Sequence, residues 1–207
     1  MVNFLTILPM AFVMIAGPQI LSSIFLATSA HWQRNTAAYL AGAAISITAF
    51  ASLAYLLSSG APRSKGGSSN TIDIIVLVLL VAAMVHVFMA RKTSKPPKWM
   101  GKLETATPRF SFRLGLLLLG IFPTDILTSV SVGAALANHG DPWWHLLPFV
   151  GLTLLFLALP ALTLLAFGRR GRAFLPKARD WMNANAWVVS EIVIVFFIVI
   201  VANSLIG

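Results

Sequence analysis

Asp125 places a carboxyl group inside an apolar segment running from about 111 to 138. A charged side chain at the centre of a bilayer costs on the order of 3 kcal/mol, so it usually faces a cavity or a partner and marks a functional site. Pro123 stands two residues before it, and a proline removes a backbone donor and breaks the helix ladder. Hydroxyls surround the acid at Thr124, Thr128 and Ser129. A stretch of the same kind, Gly17-Pro18-Gln19-Ile20-Leu21-Ser22-Ser23, lies within the first apolar segment. Gln19 to Ser23 reads against Asp125 to Ser129 position by position, with the distance from proline shorter by one residue. Paired broken segments in two halves of a chain point to a transporter site.

Asp125 suits two roles that are compatible. It can titrate a proton or contact a substrate in a central cavity. It can also cap the half-helix that starts after Pro123, because carboxylates favour helix N-termini. An acid already at that position competes with an anionic substrate and favours a cation, an amine or proton coupling. Gln19, its counterpart, donates and accepts but carries no charge; it is either a site residue or an interhelical hydrogen bond. Ser22, Ser23, Thr124, Thr128 and Ser129 either meet the substrate or satisfy carbonyls freed near a break. Gly17, Pro18 and Pro123 make the breaks.

The elements that must carry these groups are membrane helices. The chain has 207 residues, 58% apolar and 10% charged. Ordinary soluble domains carry about 25% charged residues. Six apolar segments follow one another, at about 3–29, 36–58, 72–90, 111–138, 145–167 and 187–205. Cleavage of the first as a secretory signal is disfavoured, because it lacks a basic leading region and is too long. Segment two is rich in small residues, including Ala37, Ala41, Gly42, Ala43 and Ser46, which lets helices approach closely. Pro160 is expected to kink segment five, and Trp143 and Trp144 fit an interfacial belt.

The formal charge is +9, and the basic residues sit between apolar runs. Topology and anionic lipid explain that charge better than nucleic acid does. With six alternating spans, thirteen Lys and Arg fall on one side and only Arg63 and Lys65 on the other. The positive-inside rule then puts both termini outside the cytoplasm, in a multi-pass plasma-membrane protein. Three spans enter from each side, as in an inverted-topology 3+3 repeat with helices one and four broken. The expected organisation is a first repeat over 1–90, a basic cytoplasmic linker over 91–110 and a second repeat over 111–207. The linker and the second basic loop, with Arg169, Arg170, Arg172, Lys177 and Arg179, set the topology. His86 reads as interfacial, Glu191 as snorkelling to the second basic loop, and Asp73 and Asp141 as solvated or near helix starts.

Cysteine is absent, which excludes disulfides, thiolate metal sites and thiol redox chemistry. No HExxH, GxSxG, Walker or GxGxxG pattern occurs, and no cluster has metal-ligand spacing. The expectation is a protein that is not an enzyme and uses no cofactor or metal.

The assembled pattern resembles the LysE-type exporter superfamily, and within it the GAP/Sap group of lipid-addressing proteins. The residues that carry the likeness are Ala16-Gly17-Pro18-Gln19-Ile20, Tyr39-Leu40-Ala41-Gly42, Gly120-Ile121-Phe122-Pro123-Thr124-Asp125 and Arg179-Asp180-Trp181-Met182-Asn183-Ala184-Asn185. The resemblance implies six spans and export of a small solute, or help in delivering a glycolipid to the cell surface. The main expectation is an exporter of a lipid or other amphiphile by alternating access, with proton coupling as an option. The alternatives are a proton-driven exporter of a small polar solute such as an amino acid, and an accessory subunit of a larger lipid-export machine. Membrane lipids are expected partners, and the small-residue face of segment two suits a homodimer.

Overall fold

The computed structural model describes residues 4–15, 18–59 and 105–185, with isolated helical positions elsewhere. Most of segments three and six, the linker over 91–102, Gly17, Asp73, His86 and Glu191 lie outside the described residues. All regular structure among the described residues is helical. In chain order the helices are α1 (Phe4–Ile15), α2 (Pro18–Ala27), α3 (Trp32–Ser59), α4 (Pro108–Ile121), α5 (Pro123–His139), a short 3-10 turn (Trp143–His145), α6 (Leu146–Phe167) and α7 (Arg169–Ala184).

Two helices are long and apolar enough to cross a membrane, Trp32–Ser59 and Trp143–Phe167, the latter counted with its 3-10 turn. α3 alone is roughly 42 Å long at 1.5 Å per residue, against about 30 Å of bilayer hydrocarbon. α4 and α5 make a third candidate span when taken together, bent by 71° at Phe122. The cause of the bend is local. Pro123 cannot donate, and the residue before a proline is pushed out of the helical region. Phe122 accordingly sits at φ −65°, ψ 123°, ending α4 and starting α5. In the first segment α1 is described as far as Ile15 and α2 from Pro18. Proline suits that first helical position because its missing N–H would be unpaired there anyway.

The second basic stretch, read as a loop in the sequence, is the helix α7. Gly168, at φ 50°, ends α6 and turns the chain. Gly171 and Leu175 are buried, one turn apart, while Arg169, Arg170, Arg172 and Lys177 are exposed. That helical spacing of apolar residues gives the stretch a face to pack, which its charge count conceals. α6 runs through Pro160 as one helix.

The chain divides into two compact units, Met1–Pro62 with Lys98–Arg179, and Arg63–Pro97 with Asp180–Gly207. In the second, the Asn185 side-chain amide donates to the Trp181 carbonyl at 2.8 Å. The first holds α1 to α6 and most of α7, with α3 packed along both α4 and α5. Glycines permit that packing. A Cβ on Gly42 would collide with the Phe112 carbonyl oxygen, and one on Gly115 with that of Tyr39. A Cβ on Gly133 would likewise strike the Ala51 carbonyl oxygen. Backbone therefore meets backbone along the seam, as small residues allow. The small residues of segment two thus divide: Gly42, Ala43 and Ser46 are buried, whereas Ala37 and Ala41 are exposed.

Candidate functional site

The helices α2 and α5 bring Gln19 and Asp125 together. The Gln19 Nε2 donates to Asp125 Oδ2 at 2.5 Å, and each residue is only 1% exposed. Asp125 lies in the first turn of α5, where the unpaired N–H groups and the dipole favour an acid. Gln19 lies in the first turn of α2. Each proline starts a helix that points one polar side chain inward, and the two meet.

Around this pair the hydroxyls divide by role. Ser22 donates to the Pro18 carbonyl at 2.6 Å and Thr128 to the Thr124 carbonyl at 2.7 Å. Ser23 donates across to the Leu157 carbonyl of α6, one turn before Pro160. These three satisfy backbone acceptors. Ser129 faces the Met14 sulfur of α1 at 4.0 Å. Thr124 is exposed, with its hydroxyl 3.5 Å from Asp125 Oδ1. Pro123 is exposed at the break.

A fourth element completes the site. Tyr39 is fully buried on α3, and its hydroxyl donates to the backbone carbonyl of Gln19 at 3.0 Å. The close contact of Gly115 with the Tyr39 backbone sets the depth at which that hydroxyl arrives. The chain has only two tyrosines. One of them amid small residues was the available signal, because a buried tyrosine usually finds a partner for its hydroxyl.

One acceptor is left over. Gln19 Oε1 is buried and meets no donor among the described residues. An unpaired buried polar atom costs about 1–3 kcal/mol. Gln19 therefore keeps one unsatisfied acceptor next to its hydrogen bond with Asp125. Among the described residues no three His, Asp or Glu side chains gather as metal ligands.

A second polar region lies at the far end of α2. A cavity of about 410 Å³ is lined there by Ala27, Thr28, Ser29, Trp32, Leu164 and Arg172, among others. Behind it, Asn35 donates to the Ser29 hydroxyl at 2.8 Å and to the Ala106 carbonyl at 2.9 Å.

The sequence model of one protein family, described as "Sap, sulfolipid-1-addressing protein", matches residues 7–206. Comparison with curated proteins and with solved structures gave no match.

Proposed function

The chain belongs to the Sap, sulfolipid-1-addressing protein, family, and from that premise we propose that it exports a lipid or similar amphiphile across the membrane by alternating access. The Gln19–Asp125 hydrogen bond carries the reading. It joins α2 and α5, the helices that start at Pro18 and Pro123, and both of its side chains are buried. A transporter of this type must part its two halves on opposite sides in turn. The pair is a latch that forms when the halves close, with Asp125 as the coupling group and Gln19 as its uncharged partner. Neither binds a cofactor, and no chemistry is done on the substrate.

Six spans in two inverted repeats are the architecture this mechanism needs. Thirteen basic residues against two orient the chain in the plasma membrane with both termini outside.

The absence of cysteine gives a clean test. Thr124→Cys introduces a single thiol at an exposed position beside the pair. In proteoliposomes of known orientation, a membrane-impermeant maleimide should label it from both faces, and a cross-link across the halves should confine labelling to one. Labelling from one face only, in every condition that supports turnover, would contradict alternating access at this site.

A further inference from the structure

We propose that the cavity at the end of α2 is a binding site for the anionic head group of a lipid, with Arg172 as the residue that recognises the charge. All its named residues belong to one compact unit. Its lining combines the apolar side chains of Ala27, Leu164 and Pro176 with Thr28, Ser29, Trp32 and Arg172. At about 410 Å³ the cavity has room for a head group and the first carbons of its tails.

The electrostatics select an anion. Arg172 is exposed and has no ion-pair partner among the described residues. α2 ends at Ala27 and α3 begins at Trp32, so a negative and a positive helix end meet at the cavity and largely offset each other. Arg172 is then the net charge, and its planar fork of donors fits a sulfate or phosphate ester. Its place is fixed on both sides of α7. A Cβ on Gly171 would come within 2.8 Å of the Thr163 carbonyl oxygen, so that helix lies tight on α6. Farther along, the Arg179 guanidinium stacks 5.0 Å from the centroid of the Phe25 ring on α2.

The Gln19–Asp125 pair cannot serve this purpose. A carboxylate repels an anionic head group, and both side chains are closed from solvent. The cavity lies roughly 12 Å further along α2. The molecule thus separates two tasks along one helix, with the head group held at Arg172 and the latch at Asp125. Only the idea that this cavity loads a transport path rests on the export reading; binding itself does not.

The full-length protein in nanodiscs of phosphatidylcholine, doped equally with sulfogalactosylceramide and galactosylceramide, tests this by native mass spectrometry. The wild type should retain the sulfated lipid over the unsulfated one by roughly tenfold, the value of one charge-assisted hydrogen bond. Arg172→Gln should bring that ratio to about one, and Arg172→Lys should leave a reduced preference. Arg170→Gln, on an exposed position of α7 outside the cavity, should keep the wild-type ratio. An unchanged ratio in Arg172→Gln would overturn the proposal, as would equal loss in Arg170→Gln. Displacement of the lipid by millimolar inorganic sulfate would also overturn it, since the cavity would then take a small free anion. If Arg172→Gln behaves as expected while the wild type moves no lipid, the binding site stands and the export reading falls.

Discussion

The half-helices α2 and α5 carry the same five-residue pattern, yet their surroundings agree on one face only. Gln19 and Asp125 are each 1% exposed, and Ser23 and Ser129 are both fully buried. Between them the match fails: Leu21 is 7% exposed and Leu127 is 65% exposed. The reason is what packs on each helix. α2 is enclosed, with every residue from Leu21 to Ala27 buried. α5 lies on α3 with one side and leaves Leu127, Val130 and Ser131 open on the other. Equivalence is therefore confined to the buried face, where Gln19 meets Asp125 and where Ser23 and Ser129 each turn to a different neighbour. On the outer face, packing is free to differ.

The comparison can be broken most strongly at the pair. Gln19→Glu sets two carboxyl groups against each other in an apolar interior and should lower stability by about 3–5 kcal/mol, read from unfolding in detergent. Adding Asp125→Asn restores one amide and one carboxyl with the side-chain lengths exchanged, and should recover most of that loss. Failure to recover would mean that the two positions are not interchangeable. Leu21→Ala should cost about 2 kcal/mol or more, whereas Leu127→Ala should stay within about 0.5 kcal/mol, by thermal shift in nanodiscs. Equal costs would deny the asymmetry. Gly115→Ala drives a methyl into the Tyr39 carbonyl and should cost about 1–3 kcal/mol while loosening the Tyr39–Gln19 hydrogen bond. Ser23→Ala removes the donor to Leu157 and should cost about 1 kcal/mol; Ser129→Ala, which gives up only a weak contact to Met14 sulfur, should cost less.

What could be read from the sequence follows the same line. The break at Pro123 was legible because proline has one backbone consequence wherever it falls, and α5 begins there after Phe122 leaves the helical region. Asp125 stood out because a lone acid in an apolar segment has few bland explanations, and Gln19 because it occupies the matching position. The resemblance to the GAP/Sap group rested on those same residues, and the family match covers nearly the whole chain. Tyr39 was harder to see. Its hydroxyl reaches Gln19 only because Gly42 and Gly115 let α3 and α4 approach closely, a tertiary fact that no local pattern encodes. α7 was hidden by composition, since its charges read as loop while Gly171 and Leu175, a turn apart, read as little by themselves. The Arg172 cavity needed three separated stretches, at 27–32, 164 and 172–176, to come together.

In the proposed cycle the Gln19–Asp125 link works transport and does not merely hold the helices together. Asp125→Asn separates the two roles, because the amide still accepts from Gln19 while the charge is gone. The measurement is the rate at which a fluorescent, sulfated lipid analogue crosses proteoliposome membranes, read by dithionite quenching, for the wild type and Asp125→Asn of equal thermal stability. Transport by the wild type and its loss in the folded variant are the expected results. Equal rates at every pH tested would contradict them and leave Asp125 with a structural role alone.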